Sequence, residues 1–285
     1  MAAFASFCAA IALATSGAAE DTQEPPGASR SQGPVATLPA GEVGAPAPFQ
    51  RSGVIDVGGL YYALTNGYPD WLGTFARGSL RLDARNTIGA EVDWLREFGD
   101  RGVLFAATEA FTIDSRWSAT GGLSTSAGGF FLPNLRIDLG LHKKWLSATN
   151  LVTSLSGTQV DYKDGHRDRA LELAAAYYFT EPWVLEAGGR VNFSDPGAVV
   201  APSGFVAATF GKQKEHYLSL RVQAGREAYQ LVGGNQALVG FQSQVATFTW
   251  RQWLVNAWGL QVRAEFYHNP YYDRSGAELG GFWEF

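Results

Sequence analysis

Charged side chains recur at alternate positions in one segment of this chain after another. Arg77, Arg81 and Asp83 are followed by Glu91 and Asp93, Arg136 and Asp138, Glu172, Glu186 and Arg190, Arg221, Arg263 and Glu265, and Glu278, with Glu109 and Arg226 extending the set. Two kinds of chemistry suit such groups. Facing water they hydrogen-bond a polar solute in transit; facing one another they pair and close the space, since a charge away from bulk water is tolerated only with a partner. The sequence leaves both open. Neither sign dominates, so a strong preference for anions or for cations is not expected.

Covalent catalysis needs a nucleophile beside a base. Only His142, His166, His216 and His268 are available as imidazole bases, and each reads as a solvated or interfacial histidine beside a turn. Ser275 follows His268, which is as near as the chain comes to a lipid-modifying hydrolase, but no motif fixes a serine, a histidine and an acid together. No His or carboxylate spacing resembles a ligand set, so neither a metal nor another cofactor is expected. A formal net charge of -5, spread without basic blocks, argues against nucleic acid as a partner. The expectation is a protein that is not an enzyme.

The elements that must position these charges are strands. Ala76, Gly78, Leu80 and Leu82 alternate with Arg77, Ser79, Arg81 and Asp83; Leu135, Ile137, Leu139 and Leu141 alternate with Arg136, Asp138, Gly140 and His142. The last segment splits Ala277, Leu279, Gly281, Trp283 and Phe285 from Glu278, Gly280, Phe282 and Glu284. Period-2 segments of this kind, separated by Gly, Asn, Asp and Pro, suit strands with lipid on one side and water on the other. Alternation alone fits a soluble sandwich as well. Connections that look alternately long and short, as in 194–203 before 211–216 and 231–241 before 255–259, favour a barrel with both ends of the chain in the periplasm.

The fold expected over 52–285 is therefore all-β: a closed antiparallel up-and-down transmembrane β-barrel of about fourteen strands, with twelve as the alternative. Outer-membrane lipids are its expected surroundings. Trp283 and Phe285 read as the terminal signal by which barrel-assembly machinery would engage the last strand. Tyr61, Tyr62, Trp71, Trp94, Trp117, Trp145, Tyr177, Tyr178, Phe179, Trp183, Trp250, Trp253, Trp258, Tyr271 and Tyr272 cluster near segment ends and are expected to form two headgroup-level girdles.

Ahead of the barrel, residues 1–19 form an apolar run ending in Ser16, Gly17, Ala18 and Ala19, the layout of a signal peptide, though no Lys or Arg lies near Met1. Residues 20–51, rich in Pro, Gly and Ala, are expected to be a disordered periplasmic linker. Cys8 is the only cysteine, so no disulfide framework is available.

Several short stretches resemble the YaiO-type outer-membrane β-barrel family: Arg96-Glu97-Phe98-Gly99-Asp100, Asp114-Ser115-Arg116-Trp117, Phe131-Leu132-Pro133, Tyr217-Leu218-Ser219-Leu220, Gly225-Arg226-Glu227 and the aromatic terminus. The resemblance implies an integral outer-membrane barrel associated with surface-polysaccharide export, working beside export proteins, with no catalytic residues to transfer. A passive porin for small polar solutes is the alternative that the charged inner face itself suggests.

Overall fold

Fourteen antiparallel strands close into one barrel in the computed structural model, which describes residues 52–146, 150–179, 182–234 and 236–285. The expected signal peptide and linker, 1–51, lie outside the described residues. The strands are β1 (Ser52–Leu64), β2 (Trp71–Arg81), β3 (Asn86–Glu97), β4 (Asp100–Thr112), β5 (Trp117–Gly128), β6 (Pro133–Trp145), β7 (Leu151–Tyr162), β8 (Arg167–Tyr178), β9 (Trp183–Asp195), β10 (Val199–Lys212), β11 (His216–Gly233), β12 (Gln236–Val255), β13 (Trp258–His268) and β14 (Asp273–Glu284). Each pairs with its neighbours in sequence, and β14 returns to β1. Closure matters in hydrocarbon, where no water is available to satisfy the amides of an open edge.

Burial separates membrane barrel from soluble sandwich. Leu173 is 64% exposed and Phe266 69%, whereas Arg77 is 4% and Asp138 2% exposed. A water-soluble sheet shows the reverse. The apolar face points outward around the whole wall, from Ile55 and Val57 on β1 to Leu279 and Trp283 on β14.

The turns at the end holding the start of β1 and the finish of β14 are 82–85, 113–116, 146–150, 179–182, 213–215 and 256–257; those at the far end are 65–70, 98–99, 129–132, 163–166, 196–198, 234–235 and 269–272. The expected alternation of long and short loops is therefore absent. Most of 194–203 and 231–241 is strand, because Leu231, Ala237, Leu238 and Val239 keep the ladder going. Length at the far end appears instead as an extended hairpin, with 18 residues in β11 and 20 in β12.

The aromatic girdles also need correction. Trp117, Trp145, Tyr177, Phe179, Trp183 and Trp258 ring the near end on the outside, and Tyr61 and Trp94 lie outside toward the far end. Tyr62, Trp71, Tyr178, Trp253 and Tyr272 are buried instead. Membership of a segment end did not distinguish the two faces; strand parity does.

Candidate functional site

The interior has two unlike walls. On β13, β14, β1, β2 and β3 the inward side chains are large and joined by charge-assisted bonds. Arg77 binds Glu91 at 2.7 Å and lies 3.4 Å from Glu278; Arg263 bridges Glu265 at 2.6 Å and Glu278 at 3.0 Å, and Arg274 takes the other oxygen of Glu265 at 2.5 Å. Asp93 lies 3.7 Å from Arg77. Aromatic faces cover the guanidiniums: Phe75 lies 4.1 Å beneath Arg77 and Trp71 4.1 Å beneath Arg274. Two opposed rows of inward positions supply this cluster, since Arg77 opposes Glu91 and Arg263 opposes Glu278 in the ladder.

The facing wall, β5 to β10, turns small residues inward. Ser118, Thr120, Ser124 and Ser126 share the inner face of β5; Ser156 and Thr158 that of β7; Ala170 and Ala174 that of β8; Ala201, Ser203, Ala207 and Thr209 that of β10. Ser124, Ser126, Ser154, Arg190, Asn192 and Ser203 remain partly exposed inside the barrel. Two ion pairs here are longer, Arg190 to Glu172 at 3.7 Å and Glu186 to Arg221, on the adjoining β11, at 3.8 Å. Arg136 and Asp138 form a tight pair, bonded twice at 2.6 and 2.8 Å, with Thr158 donating to Asp138 at 2.8 Å. Four of the six partly exposed inward residues carry hydroxyls.

Of the charges predicted for the interior, Arg77, Arg81, Glu91, Asp93, Arg136, Asp138, Glu172, Glu186, Arg190, Arg221, Arg263, Glu265 and Glu278 occupy inward positions. Asp83 does not. It is exposed in the β2–β3 turn, where its carboxylate accepts the Arg85 and Asn86 amides at 2.7 and 2.9 Å, the side-chain capping that ends a strand and reverses the chain. Glu109 faces outward, level with Ile88 and Gly121, because β4 puts Leu104, Ala106 and Ala110 inside. Arg226 is exposed and donates to the Gly240 carbonyl at 3.2 Å.

Charge reading missed a second cluster near the near end. Arg251 lies 3.2 Å from Asp56 and 3.8 Å from Glu284, over the face of Phe282 at 3.6 Å, and the Trp253 indole donates to Glu284 at 3.1 Å. Asp56 between Ile55 and Val57 carried the usual alternation signal; Arg251 was hidden in an aromatic run. Arg274 lies at the start of β14, ahead of the alternating residues 277–285 that mark this strand in the sequence.

The far mouth is covered. From about Gly225 onward β11 has no partner on the β10 side, and β12 before Gln244 has none on the β13 side, so 226–243 forms a free hairpin. It reverses between Gly233 and Gln236, and below that turn Gly240, whose φ of 65° lies in the left-handed region, sits where the β11–β12 ladder skips a pair. Val232, Leu238 and Phe241 then join one buried apolar cluster with Trp71, Phe98, Phe131, Leu132 and Tyr272, residues from several parts of the rim. The Tyr229 ring stacks on His166 at 3.8 Å and its hydroxyl donates to Asp164 at 3.0 Å; the Gln230 amide donates to the Tyr272 hydroxyl at 2.5 Å. Burial raises the Tyr272 phenol above its ordinary pKa, which keeps it neutral as acceptor.

Beneath that hairpin His166 meets Asp168 at 2.7 Å and Ser194 at 3.0 Å. Both approach Nε2, while Nδ1 is buried without a partner. A hydrolytic relay needs the acid and the serine on opposite ring nitrogens. His268 pairs with Asp273 at 2.6 Å on the exposed outer face, and Ser275 lies on that face too. His142 is held inside the wall by Thr120 and Ser154.

Among solved structures the chain is similar to the CymD monoaromatic hydrocarbon channel, with a TM-score of 0.55 at 6% identity, covering 82% of this chain and 87% of that one. An anion-selective porin from Comamonas acidovorans is similar at a TM-score of 0.46 and 10% identity over 83% of this chain and 99% of that one. The KdgM porin follows at 0.44 and 12%, over 81% and 99%. At such identities the likeness concerns the fold alone. No curated protein matches the chain in sequence. A family description, the YaiO membrane beta barrel domain, matches residues 53–230. With that match lying on a closed barrel of outward apolar and inward charged residues, the chain belongs to the YaiO family of outer-membrane β-barrels.

Proposed function

We propose that this outer-membrane barrel is a channel of porin type for small polar solutes, held shut in the described state by its own β11–β12 hairpin. The observation that carries the reading is the combination of a hydroxyl-lined strip along β5–β10 with a mouth filled by a hairpin that has no strand partner on either edge. A structural plug would gain from pairing with the wall. This hairpin forms no ladder with the wall: it is held by its base, by Val232, Leu238 and Phe241 packed in the rim cluster, by the Tyr229 stack and by a few side-chain bonds, so it can leave without breaking the barrel ladder. The solute would then meet serine and threonine hydroxyls and the long Arg190–Glu172 and Arg221–Glu186 pairs. The role in surface-polysaccharide export expected from the family resemblance draws no support from the lumen or from the similar structures.

Planar-bilayer recording tests it. Wild type is expected to conduct rarely, and Tyr229→Ala combined with Gln230→Ala to open far more often. Deleting 229–239 is expected to give steady conductance, provided heat-modifiable gel mobility shows a folded barrel. A folded deletion variant that passes no current overturns the reading.

A further inference from the structure

On the outer surface at the far rim, Arg96 and Arg101 stand directly opposite each other across β3 and β4. Both are exposed and outward, one step beyond Trp94. The turn between the strands is Phe98-Gly99, with φ of 49° and 82°, the left-handed pair that matches strand twist in the tightest hairpins. It is rigid, because the Phe98 ring is buried 5.2 Å from Trp71 and 6.1 Å from Tyr272. The turn therefore holds two guanidinium stems about 5 Å apart at Cβ. Like charges directly opposite destabilise a strand pair, and among the described residues no carboxylate forms an ion pair with either arginine.

The acidic groups close by are all engaged elsewhere. Glu97 is 1% exposed on the inner face, Asp100 accepts the Phe130 amide at 2.9 Å, and Asp70 accepts from the Tyr61 hydroxyl and the Leu64 amide. The outward residues flanking the pair are Leu72, Val103 and Ala127. Lys163 adds a third cation to this rim, donating to the carbonyls of Gly128 and Gly129, beside the start of β4.

We propose that Arg96 and Arg101 form a binding site for the phosphate of a lipid headgroup. Paired guanidinium forks suit an oxyanion with several acceptor atoms. A lipid source fits better than a free anion, since the pair opens onto the membrane side of the wall with Leu72 beside Arg96 and Trp94 beneath it to meet acyl chains, and a tryptophan at that level marks headgroup depth. This inference stands apart from any passage through the lumen.

Native mass spectrometry of the full-length protein in detergent, titrated with bis-phosphorylated lipid A or with the same glycolipid after removal of its phosphates, reads the site directly. Wild type is expected to retain the phosphorylated lipid about tenfold better or more. Arg96→Gln with Arg101→Gln should abolish that preference, while Arg85→Gln with Arg116→Gln, in turns at the opposite rim, should keep it. Arg96→Lys with Arg101→Lys keeps both charges and should give an intermediate preference, which covers the case in which the glutamine pair fails to fold. Inorganic phosphate at equal concentration should not release the lipid. Equal retention of both lipids by wild type, an undiminished preference in the glutamine or lysine pair, or release by inorganic phosphate overturns the proposal.

Discussion

The two inner walls of the barrel solve the same problem in opposite ways. Both put polar groups inside a cylinder surrounded by hydrocarbon. On β13–β3 each charge is consumed by a neighbour, Arg263 by Glu265 and Glu278, Arg274 by Glu265, Arg77 by Glu91, and aromatic faces close over them. On β5–β10 polarity comes mostly from hydroxyls and small residues; Arg136 and Asp138 pair tightly, but Arg190 lies 3.7 Å from Glu172, and Glu186 3.8 Å from Arg221 of the adjoining β11. A wall of tight pairs holds shape. A wall of small hydroxylated residues leaves room for something to move, and it does so without a dominant charge.

The largest break in that contrast should come from the tight wall. Arg263→Ala leaves Glu265 and Glu278 short of a buried partner and should cost about 3–5 kcal/mol, read by urea unfolding in detergent micelles. Arg190→Gln on the looser wall should cost clearly less. Equal losses would erase the distinction between the walls. Ser124→Trp sharpens it from the other side: a bulky residue in the partly exposed strip should lower single-channel conductance of the hairpin-deleted barrel, with stability within about 0.5 kcal/mol of the parent. The smallest effect concerns acid. Hydrogen bonds from Asn86 and the Arg85 amide hold the Asp83 carboxyl below its ordinary pKa, and the Tyr61 hydroxyl does so for Asp70. Groups lowered on folding stabilise above the ordinary carboxylate value near 4 and lose that contribution as pH falls through the folded value. Unfolding midpoints should therefore decline slightly on acidification below about pH 4, and less so for Asp83→Asn.

The strand count and the inward or outward sense of most charges were legible because each strand in this barrel must alternate; a slip of one residue would put Arg77 or Asp138 into lipid. Position within a strand was harder. Asp83 continues the alternation of β2 by one step into a turn, and Glu109 sits on the outward parity of β4, where Ala107 and Ala110 blur the two faces. Small residues escaped notice as site residues altogether, since a serine on an inner face carries no periodic signal beyond not being apolar. The hairpin escaped for a different reason: its apolar tip looked like a loop interrupting strands, when its sequence serves contacts with Trp71, Phe98 and Leu132, distant along the chain.

The seam of the cylinder joins Val54 to Glu284 and Ile55 to Trp283, and the Gly53 amide and carbonyl bond both backbone groups of Phe285. Partners at this joint are the most widely separated along the polypeptide of any neighbouring strands. Until the final strand arrives, two bare ladders must be sheltered from each other and from acyl chains. Insertion therefore favours a nearly all-or-none event, and a single shortened terminus would be expected to leave the whole sheet unzipped rather than one strand missing.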